Sequence, residues 1–180
     1  MVPMLSGSSW GTDVAVEGFD AGPDTDDNSR YNTVGPAYFR TLGIPLLAGR
    51  DFTRADAAGA PKVAIVNQAF AKKFHIEDDP IGRRMNTDPE DNGELDIEII
   101  GLAPDMKYSE VKQTPPPLFF RPYRQRDSLG FLTFYVRGAL PAEQLLPAIR
   151  ATVHQLDPNL PIEDLKTMVE QVTDNVFVDR

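Results

Sequence analysis

The chain has 180 residues and 41% hydrophobic composition, enough for one domain with a real core or for two small lobes sharing one. A formal net charge of -9, from 27 acidic against 18 basic residues, disfavours a broad nucleic-acid surface or docking on anionic lipid. Without cysteine there are no disulfides, thiol chemistry or cysteine-ligated metals, and no apolar run approaches the ~20 residues of a bilayer-spanning helix.

The opening MVPMLSGSSWG lacks a basic region and a long apolar core, so it does not read as a signal peptide. WGTDVAVEGF puts Val14, Val16 and Phe19 on one side, as in a half-buried strand, and DAGPDTDDNSR is an acidic loop. YNTV reads as a strand. Gly35 and Pro36 then fit a helix N-cap and first turn, Gly43 fits a left-handed stop, and Pro45 follows, which predicts a helix over 36–42. Phe39 and Ile44 are spaced for the contact that accompanies such a stop, and IPLLAGR resumes as a strand.

PKVAIVNQAFAKKF repeats this grammar from about Lys62. Val63, Ile65 and Val66 form a buried strand, Asn67 caps, and Phe70 and Phe74 share a helix face. DPIGRRM is a turn and short strand, TDPEDNGE a hairpin loop, and LDIEIIGLAPDM a central strand. QTPPPLFFRPY leads into a strand at Leu118–Arg121, which its prolines restrict to a sheet margin. FLTFYV, Phe131–Val136, carries the strongest strand pattern. Ala142, Leu145, Leu146, Ile149, Val153 and Leu156 mark an amphipathic helix that Pro147 should kink or delay. DPNLPIEDL reads as a short strand, and Thr167 with Glu170 forms a capping box for a last helix. This order predicts a mixed α/β or α+β fold.

Several constellations invite chemistry and fail on context. Gly7-Ser8-Ser9-Trp10-Gly11 matches a nucleophile elbow, with Asp105 and His154 following in hydrolase order, but no core strand precedes Ser9 and no helix follows it. His75 and His154 lack metal-ligand spacing. The loop with Asp24, Asp26 and Asn28 lacks the glycine and bidentate glutamate of a calcium loop, and the loop from Asp88 ends on Ile99 where that glutamate belongs. Arg83 and Arg84, with Arg121, Arg124 and Arg126, suggest an anion site. Strand alternation sends Arg83 and Arg84 to opposite faces, so ion pairs with the abundant carboxylates are the better reading. The residues describe a non-catalytic module, with no catalytic, cofactor or metal residues expected.

VGPAYFRTLGIPLLAGRDFT, APKVAIVNQAFAKKF, DPIGRRM, IEIIGLAPDMKY and LDPNLPIEDLKTM occur in an order that resembles the extracytoplasmic core domain of MacB/FtsX-like ABC transporter permeases, of the type common in acidobacteria. The resemblance covers about Val14 to Val172. It implies a two-lobed domain: a porter-like βαβ lobe built from residues 1–60 and 128–180, and an inserted, smaller, sabre-like α/β lobe at 61–127. It implies a periplasmic location, no cofactor, and mechanotransmission, in which ATP-driven motion of transmembrane helices is carried outward with hinges near Ala60 and Ser128. Implied partners are those helices, a cytoplasmic ATPase, a second permease copy and a periplasmic adaptor. The alternative is a periplasmic module that binds a small molecule or peptide. Arg50 and Asp51, with Arg83 and Arg84, are the positions expected to contact the other lobe or a partner.

Overall fold

KVAIVN is apolar on both faces because it lies inside a sheet covered from both sides, where alternation brings no residue to water. The computed structural model describes residues 4–22, 24–87, 93–130 and 132–177. Its strands are β1 (Trp10–Asp13), β2 (Ala15–Val16), β3 (Asn28–Val34), β4 (Ala48–Gly49), β5 (Lys62–Asn67), β6 (Arg84–Asn86), β7 (Ile97–Ala103) and β8 (Leu118–Pro122). They form one mixed sheet in the order β1-β3-β8-β5-β7-β6-β2, with β4 also on β7. β3–β8 and β5–β7 are parallel, and β5–β8 is antiparallel, so β8 is an internal strand and not the sheet-margin strand its prolines suggest. Pro117 precedes it and Pro122 is its last residue, so the missing N–H groups fall at the strand's ends. The fold is mixed α/β, as the order of elements predicts.

The core divides by face. Val63, Ile65, Leu118 and Phe120 point to one side, where α1 (Tyr38–Leu42) lays Tyr38 and Phe39 over them. Ala64, Val66, Phe119 and Ile99 point to the other, beneath Phe70, Ala71 and Phe74 of α2 (Gln68–Lys73). Each buried phenylalanine here represents about 3–5 kcal/mol against truncation to alanine. Asn67, fully buried, ties α2 to the sheet. Its Oδ1 accepts from Phe70 N and from Leu118 N, both at 2.9 Å, and its Nδ2 donates to Pro116 O at 2.9 Å.

The helix stop at Gly43 forms as its sequence demands: Gly43 is left-handed at φ 72, and Ile44 N donates to Phe39 O at 2.8 Å. The helix start is later than the prolyl signal suggests. Gly35 to Tyr38 closes a turn, with Tyr38 N donating to Gly35 O at 3.2 Å, and Ala37 at φ 66 is the cap. Of IPLLAGR, only Ala48–Gly49 pairs as a strand.

The larger departures lie beyond residue 130. Leu132–Val136 is not a strand: Thr133 and Tyr135 are half-buried while Leu132, Phe134 and Val136 are exposed, Phe134 at 80%. The alternation encodes a two-faced extended segment, but a strand also needs a neighbouring ladder, and among the described residues none lies beside it. The 157–166 stretch is likewise not a strand. It turns at Asp157, whose carbonyl accepts from Leu160 N at 3.2 Å. The helix α3 (Ala142–Leu156) begins ahead of Pro147 rather than at it. The helix α4 (Met168–Phe177) begins with the expected box, Thr167 N donating to Glu170 Oε2 at 2.7 Å and Glu170 N to Thr167 Oγ1 at 3.2 Å. Neither α3 nor α4 has a buried residue, and among the described residues no helix is long and apolar enough to cross a membrane. Most of the TDPEDNGE loop lies outside the described residues.

Candidate functional site

Arg50 and Asp51 leave β4 in a loop that closes on itself. The Arg50 guanidinium donates to both carboxylate oxygens of Asp56, each at 2.9 Å, while Asp56 also accepts from Thr53 N at 2.7 Å and Thr53 Oγ1 at 3.0 Å. These donors hold the Asp56 carboxyl below the ordinary carboxylate range, the Arg50 hydrogen bond most of all. Asp51 accepts from Phe52 N at 2.7 Å, yet burial pushes its carboxyl upward. Arg50 and Asp51 are therefore occupied within their own loop. Asp56 is the partner that sequence reasoning missed; its signal is the spacing of the R-D-F-T-x-x-D run.

Arg83 and Arg84 lie along the same edge of β7 as Arg50. Arg50 N donates to Ile100 O at 2.9 Å, Gly82 N to Ile99 O at 2.8 Å, and Ile99 N to Arg83 O at 2.9 Å. Residues 47–50 and 82–85 thus form two halves of one antiparallel edge, and the chain between them crosses the sheet to build β5 and α2. Arg83 Nε donates to Asp79 O at 3.3 Å, and Arg84 N donates to Glu17 Oε2 at 3.1 Å. Arg50, Arg83 and Arg84 thus share one flank of β7 through their backbones, and they line neither the groove along α3 nor the one at Asp26 and Lys73.

A second arrangement was invisible in the sequence. The N-terminal residues run beside Tyr108 and Ser109, with Leu5 N donating to Tyr108 O at 2.8 Å and Gly7 N to Ser109 O at 3.0 Å. The C-terminal segment ties onto this seam by polar contacts. Gln171 Nε2 donates to Leu5 O at 2.7 Å, Asn175 Nδ2 donates to Ser109 O at 3.0 Å, and Asn175 Oδ1 accepts from Val111 N at 2.8 Å. Tyr135 Oη accepts from Met4 N at 2.7 Å, and its ring packs edge-on against Tyr38 at 5.8 Å. Tyr108, pushed up to about 12 chiefly by burial, stays protonated and donates to Tyr31 O at 2.7 Å. Such a seam, hydrogen-bonded but thinly packed, opens at lower cost than the sheet it borders.

The catalytic and metal constellations are not assembled. Asp105 Oδ1 accepts from Ala69 N at 2.8 Å, at the start of α2, and no hydrogen bond joins Ser9, Asp105 and His154. Asp26 pairs with Lys73 at 2.8 Å and accepts from Asn28 N, so those loop oxygens are turned to local contacts. His75 follows the Phe74 C-cap of α2, with its ring stacked on Phe19 at 5.9 Å. Among the described residues no group of three or more acidic or histidine side chains could hold a metal. A groove of about 570 Å³ is open and runs along α3 past Leu146, Arg150, His154 and Leu165.

The family described as the MacB-like periplasmic core domain matches residues 2–156. No curated protein sequence matches the chain. Among solved structures it is similar to the periplasmic region of MacB from Actinobacillus actinomycetemcomitans, with a TM-score of 0.56 and 15% identity over 83% of this chain and 64% of that one. It is also similar to a permease-protein domain from Porphyromonas gingivalis, with a TM-score of 0.53 and 16% identity over 94% of this chain and 78% of that one. At these identities the likeness is one of fold, and the chain spans less than two thirds of the MacB region.

Proposed function

Since the chain belongs to the family of MacB-like periplasmic core domains, we propose that it is the extracytoplasmic domain of an ABC transporter permease and transmits transmembrane-helix motion outward. It does so without catalysis of its own. Its partners are the transmembrane helices and cytoplasmic ATPase of that transporter, with a second permease copy and a periplasmic adaptor completing the assembly. The observation that carries the mechanical part is the seam: one rigid sheet on one side, and on the other a segment of residues 132–177 held by a few polar bonds. Two bodies joined in this way move as units about the joint.

The division into residues 1–60 with 128–180 and an inserted 61–127 is a proposal that fits this seam only with 1–60 grouped with the sheet, because β1, β3 and β4 pair into it. The junction near Ala60 changes with it. β4, before Ala60, and β5, after it, are both hydrogen-bonded to β7, which stiffens that junction. Ser128, beyond the last strand and ahead of the exposed segment, is the better hinge. The alternative of a ligand-binding module calls for an enclosed apolar pocket, whereas the groove along α3 is open.

A reversible crosslink tests the mechanical role, because the chain has no native cysteine to confuse it. Val111 and Asn175 are in contact, with Asn175 Oδ1 2.8 Å from Val111 N. Cysteines at these two positions, bridged by a short cleavable thiol crosslinker in the transporter that carries this domain, should suppress transport at least tenfold while ATP still binds, and reduction should restore it. Transport unchanged in the bridged state would sink the proposal.

A further inference from the structure

The five arginines that the sequence grouped together part company in the fold, and among the described residues none of them forms the side-chain ion pair with a carboxylate that was expected. Arg121 and Arg126 alone of the five converge on one place. Arg121 follows Phe119 by two residues on β8, so it faces the same side of the sheet, near the C-terminal end of this internal strand, and stands in register with Thr33 of the neighbouring β3. It is half-buried, and its Nε is shielded from solvent with no hydrogen-bond partner among the described residues. Arg126 reaches the same place from the turn that follows β8. Its guanidinium lies 5.7 Å over the Trp10 ring and 3.5 Å from Thr33 Oγ1. Trp10 is in turn 5.5 Å from the Tyr31 ring, so an aromatic floor underlies the pair. Asp96, the acidic group whose charge acts on Arg121, is ion-paired to Lys62.

A guanidinium partly withdrawn from water with a shielded donor unmatched is costly, and an anion is what commonly satisfies it. Two cationic forks beside one hydroxyl suit an oxyanion that carries two charges and several acceptor oxygens better than a single carboxylate. We propose that Arg121, Arg126 and Thr33 form a binding site for a phosphate-type oxyanion at the C-terminal ends of β3 and β8. The site does not depend on the transport role, and the chain's overall negative charge gives it no long-range assistance.

Trp10 is the sole tryptophan, so its fluorescence reports directly on Arg126. Inorganic phosphate titrated into the 180-residue chain at constant ionic strength should give a saturable change at millimolar concentration or below, which sodium chloride does not reproduce. Arg121→Gln and Arg126→Gln should each weaken it tenfold or more, while Arg124→Gln, on an exposed neighbour, should leave it unchanged. Arg126 is exposed, so its variant decides the matter even where Arg121→Gln fails to fold. Vesicles of phosphatidylglycerol distinguish the source: a response to them but not to free phosphate, lost in the same variants, assigns the site to a lipid headgroup. Response to neither probe, or equal weakening by Arg124→Gln, overturns the proposal.

Discussion

Gly49 and Gly101 are register partners on β4 and β7, at a separation that leaves no room for a side chain on either. A Cβ on Gly49 would fall 2.1 Å from the Ile100 carbonyl oxygen and 2.8 Å from Gly101 Cα, and one on Gly101 would fall 2.8 Å from Arg50 O. Gly49 also has φ 74, a left-handed conformation. Gly49→Ala should therefore cost about 2–4 kcal/mol, combining backbone strain of about 1 kcal/mol with a clash that only strand movement relieves. Gly59, at φ 83 with nothing near its Cβ direction, supplies the contrast. Gly59→Ala should cost about 1 kcal/mol, and urea unfolding of the two variants separates strain from close approach.

Asp56 anchors the loop that Arg50 closes. Replacing it by asparagine should destabilise the chain by about 1–2 kcal/mol at neutral pH, a modest figure because Arg50 is half exposed. The folded Asp56 carboxyl is held below its unfolded value near 3.8. Its contribution is thus present above that value and lost as pH falls through the lower folded value. Asp51, raised by burial, acts in the opposite direction, favouring the fold at low pH and losing that effect as pH rises through its folded value. Unfolding curves of wild type and Asp56→Asn should accordingly converge on acidification; a gap that stays constant to pH 2 contradicts this assignment of the charge.

Asn67 serves three backbone groups at once, so Asn67→Ala leaves Phe70 N, Leu118 N and Pro116 O without their partners inside the core. A loss of about 3 kcal/mol or more is expected, beyond the ~1 kcal/mol of an ordinary helix cap. Denaturant unfolding measures the total. A loss of only ~1 kcal/mol would mean that capping alone is at stake.

At the seam, Asn175→Ala removes bonds to Ser109 O and Val111 N, and Tyr135→Phe removes the acceptor for Met4 N. Amide exchange in α4 should accelerate about tenfold in the Asn175 variant while exchange in β5 and β7 stays as in wild type. Uniform acceleration throughout the chain would show that seam and sheet unfold together.

Much of the fold was legible before any coordinates, wherever the signal is local. Asn67 and the Thr167–Glu170 box cap because a side chain two or three residues from an unpaired amide reaches it in any context, and Gly43 stops a helix because it alone enters the left-handed region without strain. Phe70 and Phe74 share a face because helical geometry dictates it. The positions along β7 that Arg50 and Arg83 occupy were not legible, because an excursion of thirty-odd residues separates two halves of one edge.

By itself, then, the chemistry of the sequence determined the local elements, the two-sided burial of the central strands, and through several blocks at consistent spacing the permease family. Tertiary structure decided the rest. It turned Arg50 inward to Asp56, left Leu132–Val136 extended but unpaired, and brought Leu5, Ser109 and Asn175 to one seam. The physical reason is that alternation and capping are properties of neighbours along the chain. Strand pairing, ion-pair choice and the stranding of Arg121 without a carboxylate depend on which distant segments the fold brings together.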